Sequence, residues 1–311
     1  MNGKTAYIFP GQGSQTVGMG KDIYETSSVA KTIFDQADSA LGFPISELCF
    51  NGPESELQQT VNSQPAIMTV SVASLEAALE AAGEESLYPD FVAGHSLGEY
   101  CALVAAGVFD FADAVRLVWE RGRLMQEVGM IRPGGMAAII GLDESCVANI
   151  CFDSGAEIAN INSPAQIVVS GPKHALVKAV ELAKAKGARH AIELKVSGAF
   201  HSSLMEPVVD GMTKVISRVK FRDPKIPVVV NTSGKMVSSA EELKAELIWQ
   251  LCNSVQWNRS VEFMIESGVT TFIEIGPGRV LSGLIRRINK DVKVLHIDNV
   301  KSLHRDVYGS V

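Results

Sequence analysis

Short apolar runs bounded by glycine or proline alternate along this chain with longer stretches in which apolar positions recur every three to four residues. The first pattern predicts strands and the second helices. Residues 5–9 read as a strand that stops at Pro10-Gly11 and opens a glycine-rich loop, 10–15. Helical periodicity covers 22–41 and 65–82, and 91–94 is the next strand. Helical stretches at 97–106 and 110–128 lead to Arg132-Pro133-Gly134-Gly135, the clearest break in the pattern. Beyond it the order is strand (136–140), helix (144–153), two strands (157–161 and 166–170), helix (173–186) and strand (190–194). That βαββαβ order is the split-βαβ, or ferredoxin-like, one. Helices and short strands resume and end with a strand at 271–275, a helix at 279–288 and a strand at 292–297. The expected architecture is α/β: a hydrolase-like parallel-sheet domain made of 1–130 and 197–311, with a small ferredoxin-like α+β subdomain, 131–196, inserted in its middle.

Composition narrows the function classes. The chain has 311 residues, 46% hydrophobic and 20% charged, enough for a substantial core. No apolar segment runs for roughly 20 residues without a charge or a Gly/Pro break, so no membrane span is expected. The N-terminus passes from Met1-Asn2-Gly3-Lys4 directly into the first strand without the apolar region of a signal peptide, so the expected location is cytoplasmic. Five cysteines (Cys49, Cys101, Cys146, Cys151, Cys252) are scattered without CxxC spacing. They are expected to be reduced thiols, with neither a disulfide framework nor a metal site. A net charge of −7 argues against nucleic acid or an anionic membrane as partner.

The chemistry starts at Gly94-His95-Ser96-Leu97-Gly98, which lies between the strand at 91–94 and the helix that follows. GxSxG at a strand-to-helix junction is the pattern of a nucleophile elbow, in which the turn exposes the serine hydroxyl. It also sets the Leu97 amide at a helix N-terminus, where it can stabilise an oxyanion. A chance match is the alternative, disfavoured by this placement. A serine needs a base. Among six histidines, His174, His190, His296 and His304 sit in stretches with nothing reactive around them. His95 adjoins Ser96 on the opposite face. His201 lies in a loop of small residues where the inserted subdomain returns to the main domain, and it is the preferred base. Arg121 falls in the middle of the apolar stripe Ala114, Leu117, Val118, Leu124, Met125, Val128. A buried guanidinium needs an internal acid or an anionic ligand. With a serine nucleophile it suggests an acyl donor carrying a free carboxylate, which arginine clamps with two parallel hydrogen bonds. An acetyl donor would then leave the guanidinium unpaired, and a polar site rejects such an analogue strongly.

Eight ordered motifs carry a resemblance over essentially the whole chain: FPGQGSQ (9–15), QPA (64–66), GHSLGEY (94–100), ERGRLMQE (120–127), NINSPAQIVVSG (160–171), GAFHSSLM (198–205), NSVQW (253–257) and EIGPG (274–278). The sequence resembles the malonyl-CoA:acyl carrier protein transacylase family, including its free-standing polyketide acyltransferases. The resemblance implies that Ser96 is acylated, that His201 is its base and that Arg121 binds the malonyl carboxylate. It implies Gln12 as the second oxyanion amide beside Leu97, and a backbone carbonyl near Gln250, rather than an aspartate, orienting His201. The bare hydrolase order would instead require an acid such as Asp110, Asp113, Asp143 or Asp153. Phe200 resembles the aromatic that precedes the histidine in malonyl-selective members, with loop packing as its alternative. Asn160 and Gln64 match polar positions near the family's cleft. The implied substrates are malonyl-CoA and holo acyl carrier protein, with no bound cofactor and a monomeric enzyme. The carrier protein could belong to fatty-acid or polyketide synthesis. An acyl hydrolase that releases stalled chains is the more distant alternative. For docking an acidic carrier, Lys184, Lys186 and Arg189, or Arg286, Arg287 and Lys290, are candidates.

Overall fold

The computed structural model describes residues 3–82 and 88–302. In chain order its elements are β1 (Lys4–Phe9), α1 (Lys21–Thr26), α2 (Ser28–Leu41), α3 (Ile45–Asn51), α4 (Glu54–Leu57), α5 (Thr60–Ala82), β2 (Phe91–Gly94), α6 (Gly98–Ala105) and α7 (Phe111–Ile131). Then come β3 (Gly134–Ile140), α8 (Glu144–Ser154), β4 (Glu157–Ser163), β5 (Gln166–Pro172), α9 (Lys173–Ala185) and β6 (His190–Glu193). The remainder is α10 (Glu206–Ile216), β7 (Val228–Val229), β8 (Met236–Val237), α11 (Ala240–Trp249), α12 (Trp257–Glu266), β9 (Val269–Ile275), α13 (Val280–Ile288) and β10 (Lys293–Ile297).

The larger sheet has the order β10-β9-β1-β2-β7-β8, parallel except at its β7–β8 edge. The run Ala6-Tyr7-Ile8-Phe9 is buried on both faces, as a central parallel strand requires. Ala6 and Ile8 meet Trp257, Val261 and Leu284 on one side, whereas Tyr7 and Phe9 join the core built around α5 on the other. Register pairs Phe9 with Gly94 and Ile8 with Glu274. The loops after β1, β2 and β9 therefore emerge together at the carboxyl edge, where open α/β sheets place their ligands.

The smaller sheet, β4-β5-β3-β6, is antiparallel throughout, the strand order that the βαββαβ pattern predicts. Along β3, Ala137 and Ile139 pack under α8 and α9, while Met136 and Ala138 turn toward the main core. This two-residue alternation aims one face of the small sheet at the larger unit.

Three helical stretches differ from expectation. The stretch 22–41 is two helices, because Ser27 turns extended and its hydroxyl caps α2 by accepting from the Ala30 N–H. The short helices α3 and α4 flank Gly52-Pro53 and carry too few turns to show a period. Helix α5 begins at Thr60, ahead of Pro65, which lies inside it. By length and composition α5 is the one described helix that could cross a membrane. Here it is the central core helix, packed between α2 and α7.

Candidate active site

The elbow is built by close approach. A Cβ on Gly94 would lie 1.9 Å from the Gly98 carbonyl group, and one on Gly98 would lie 2.1 Å from the Phe9 carbonyl oxygen. Glycine at both positions lets α6 start against β1 and β2. Ser96 between them sits at φ 52°, a left-handed conformation that a serine holds only when its surroundings enforce it. Asn231, two residues beyond β7, supplies part of that enforcement. Its Oδ1 accepts from the Ser96 N–H at 2.7 Å and its Nδ2 donates to the Gly94 carbonyl at 2.6 Å.

Ser96 Oγ lies 2.8 Å from His201 Nε2, and His201 Nδ1 lies 2.8 Å from the Gln250 backbone carbonyl. A carbonyl can only accept, so Nδ1 carries the proton and Nε2 is free to accept from the serine hydroxyl. Burial, and next the Arg121 charge, push the imidazole down to about 3, so it stands neutral near pH 7. His201 is also left-handed, at φ 56°. The acids weighed as partners lie elsewhere: Asp110 pairs with Arg222, Asp113 with Arg116, and Asp143 caps α8. Asp153, on α8, receives Lys178 on its backbone carbonyl.

Arg121 is 1% exposed. Its Nη1 donates to Gln64 Oε1 at 2.7 Å, and its Nη2 donates to Gln250 Oε1 at 2.9 Å and to Ser96 Oγ at 3.2 Å. The guanidinium also lies over the Tyr100 ring, 5.4 Å from its centroid. Its acceptors are thus neutral amides and the Ser96 hydroxyl. Among the described residues none of the ion pairs includes it. This corrects the expectation that a donor without a carboxylate leaves the guanidinium unpaired: Gln64 and Gln250 remain.

These groups face a cavity of about 440 Å³ between the two sheets. Gly11, Gln12, Ser96 and Leu97 line it on the larger-sheet side, and Met136, Ala138, Asn160, Asn162 and Val168 line it on the small-sheet side. Phe200 and His201 complete the wall. Neither the Gln12 nor the Leu97 backbone N–H donates to another described residue. The Gln12 side chain donates to Thr60 Oγ1 at 3.1 Å, tying its loop to the start of α5. Phe200 is 5% exposed against the cavity. Asn160 lies where β4 touches Val255 through an isolated bridge, which joins the small sheet to the NSVQW segment. Gln64, buried, serves as an Arg121 partner.

EIGPG is a helix start: Glu274 accepts from the Leu281 and Ser282 N–H groups at 3.0 and 2.8 Å and caps α13. Gly276, at φ 127°, also packs against Pro10 and so braces the loop that carries Gln12. Sequence reasoning missed four contributors: Asn231, Glu99, Asn162 and Lys195. Asn162 Oδ1 pairs with His95 Nε2 at 2.8 Å, and the His95 ring packs tilted against Trp257, with centroids 5.7 Å apart. Exposed Lys195 lines the cavity mouth. A polar residue closing the buried run Val228-Val229-Val230 was the available signal for Asn231. Of the basic clusters, Lys184, Lys186 and Arg189 are exposed at the end of α9. Arg286, Arg287 and Lys290 are exposed around the end of α13, where Arg287 Nη1 donates to cavity-lining Gln166 at 2.6 Å. His174, His190 and His296 lie on α9, β6 and β10. His304 lies outside the described residues.

A serine on an elbow, an imidazole hydrogen-bonded to it and a buried cation at the carboxyl edge of an α/β sheet define a class, the serine-dependent acyltransferases and their hydrolase relatives. The sequence matches the family described as "Acyl transferase domain" over residues 6–310, and the chain belongs to that family. It is 44% identical over 305 residues to the malonyl CoA-acyl carrier protein transacylase of Bacillus subtilis (strain 168), covering 96% of this chain and 95% of the relative. An acyl carrier protein S-malonyltransferase from Vibrio cholerae superposes with a TM-score of 0.93 at 40% identity, covering 97% of this chain and 99% of that one. A malonyl-transacylase solved in complex with its type II PKS acyl-carrier protein superposes with a TM-score of 0.94 at 41% identity, covering 98% and 99%.

Proposed function

We propose that this protein transfers a malonyl group from malonyl-CoA to the phosphopantetheine thiol of holo acyl carrier protein, through a malonyl ester on Ser96. His201 Nε2 takes the Ser96 proton as Oγ attacks the thioester carbonyl. The Gln12 and Leu97 amides hold the oxyanion, the C–S bond breaks, and the imidazolium returns its proton to the departing CoA sulfur. In the second half-reaction His201 takes the proton of the carrier thiol, sulfur attacks the ester, and the C–Oγ bond breaks with the proton returned to Ser96. Arg121 receives the malonyl carboxylate, positioned by Gln64 and Gln250, while Phe200 and Asn160 shape the acyl pocket. The Gln250 carbonyl orients His201.

One observation carries this reading. The nucleophile touches both its base and a buried arginine, at 2.8 and 3.2 Å. A carboxylate one methylene beyond the acyl carbon falls within reach of that guanidinium, whereas a hydrolase of aliphatic chains needs no such clamp. We assign the catalytic unit to 1–130 and 197–311 and the inserted subdomain to 131–196, a division supported by the change from parallel to antiparallel sheet. The acceptor is the carrier protein of fatty-acid synthesis. A polyketide carrier is the second reading, favoured by the likeness to a transacylase solved with such a partner. Intact-protein mass spectrometry tests the proposal. A malonyl adduct should form on mixing with malonyl-CoA, be absent in Ser96→Ala, and move to holo carrier protein. Release to water with the carrier unloaded would favour the hydrolase, and no adduct would refute both. Loading of fatty-acid and polyketide carriers in parallel separates the two acceptors.

A further inference from the structure

Behind the nucleophile, outside the cavity lining, stands a carboxyl group that the reaction above does not use. Glu99, in the first turn of α6, is fully buried. One oxygen accepts from the Asn231 backbone N–H at 3.3 Å, and the other accepts from the Gln250 side-chain Nε2. The Gln250 nitrogen also donates to the Ser96 carbonyl at 3.0 Å, so both of its N–H bonds are committed. Only Oε1 is left for Arg121, whose Nη2 donates to it at 2.9 Å. Turned over, the same amide would set its oxygen against the Ser96 carbonyl and its NH2 group against a guanidinium that has no acceptor to offer. Glu99 is the side chain that joins the two clamps of the site: Asn231, which holds the elbow, and Gln250, which touches Arg121 through its side chain and His201 through its carbonyl.

We propose that Glu99 is a positioning residue: by accepting from Gln250 Nε2 it fixes which end of that amide faces Arg121, and so holds the guanidinium where a short dicarboxylic acyl donor needs it. This rests on the transacylase reading above. Glu99→Gln keeps the size of the side chain but brings an NH2 group that must face either Gln250 Nε2 or the Asn231 N–H, both donors. Gln250 then loses its enforced orientation, and Arg121 loses an acceptor. The displaced guanidinium should then make one hydrogen bond fewer to the malonyl carboxylate, and loading of Ser96 from malonyl-CoA should fall about tenfold relative to loading from acetyl-CoA.

A double-mutant cycle tests the route of action. Gln250→Ala, which keeps the backbone carbonyl for His201, should lower the malonyl-to-acetyl ratio by itself, and adding Glu99→Gln should lower it no further. Equal slowing of both donors, or a further fall in the double variant, would overturn the proposal and make Glu99 a residue of the general core. Should Glu99→Gln not accumulate as folded protein, Glu99→Asp draws the carboxyl back by one methylene. It should shift the ratio in the same direction, and an unchanged ratio would overturn the proposal as well. Wild-type protein is the control: failure of malonyl-CoA to acylate Ser96 there refutes the functional reading, whereas normal wild-type loading with an unmoved ratio in the variants refutes the Glu99 assignment alone.

Discussion

Replacing Arg121 by alanine should convert a malonyl-selective loading step into one that barely separates malonyl-CoA from acetyl-CoA. Two charge-assisted hydrogen bonds to the substrate carboxylate, at about 1.5–3 kcal/mol each, give about 3–6 kcal/mol of discrimination. That is roughly a 10²- to 10⁴-fold preference at about 1.4 kcal/mol per tenfold. The lower end applies here. Before the donor binds, Arg121 Nη2 already donates to Ser96 Oγ at 3.2 Å, and the carboxylate exchanges for that bond rather than adding to it. Gln64 and Gln250 stay bonded whichever donor enters, so the binding part of the selectivity comes from the hydrogen bonds that the malonyl carboxylate itself accepts. Rapid-quench mass spectrometry of the acyl-enzyme, with each donor in turn, measures the ratio directly. The expected outcome for Arg121→Ala is a fall of about 100-fold in that ratio. Removing the guanidinium also removes a charge that holds His201 down, so the acid limb of acetyl loading should move to higher pH. A ratio within about threefold of wild type, with both donors slowed alike, would refute the assignment of Arg121 as the carboxylate clamp.

Other consequences can be measured independently. With His201 pushed down to about 3 by burial and Arg121, its neutral form persists in mild acid, and kcat/KM for loading should stay flat below the ordinary histidine pKa of about 6.5. An acid limb centred near pH 6.5 would contradict that environment. The same shift has a stability consequence: across that window the unfolded chain binds a proton that the folded one excludes. Stability should therefore rise with pH between about 3 and about 6.5, and His201→Gln should flatten the slope measured by denaturant titration. Gly98→Ala places a methyl 2.1 Å from the Phe9 carbonyl oxygen, so α6 or β1 must move. A cost of about 1–3 kcal/mol and loss of Ser96 acylation are expected, and wild-type melting with normal loading would show the close approach to be dispensable. Arg287→Glu, at the mouth beside Gln166, should raise the KM for carrier protein and leave loading from malonyl-CoA unchanged. Unaltered carrier KM would move the docking surface elsewhere.

Parts of this architecture are readable from local pattern because local chemistry dictates them. The two glycines around Ser96 admit no side chain, so they mark the elbow in any chain that folds this way. The βαββαβ alternation of the middle segment fixes its own strand order. A charged residue inside an apolar stripe marked Arg121 without any knowledge of its partners. What was illegible depends on contacts distant in sequence. Asn231 meets the elbow from 135 residues away, and Gln250 meets Arg121 from 129 residues away. The buried run Val228-Val229-Val230 marks Asn231 as a strand end but not as a partner of the elbow, and nothing around Gln250 marks its side chain as a partner of Arg121. The helix start at Thr60 is of the same kind: its hydroxyl bonds to Ser197 and to Gln12, and neither partner is near in the chain.

The choice of neutral acceptors for Arg121 has a physical logic that joins selectivity to base strength. An aspartate or glutamate paired directly with the buried guanidinium would hold it in place, but a substrate carboxylate would then have to displace a desolvated ion pair at a cost of several kcal/mol. Amides orient the guanidinium without cancelling its charge. Gln64 and Gln250 do this, and Glu99, the nearby carboxyl group, stands one residue further back, behind the Gln250 amide. The cation is thereby held where its charge can meet a substrate carboxylate. Until then it disfavours protonation of His201, so the imidazole waits neutral with Nε2 directed at the Ser96 hydroxyl. In the role proposed for Arg121, a malonyl carboxylate would neutralise that charge as it binds and so ease protonation of His201 at the moment the serine proton must be taken. An acetyl group would leave the repulsion in place, so on the proposed reading the same arginine penalises the wrong donor in the proton transfer as well as in binding.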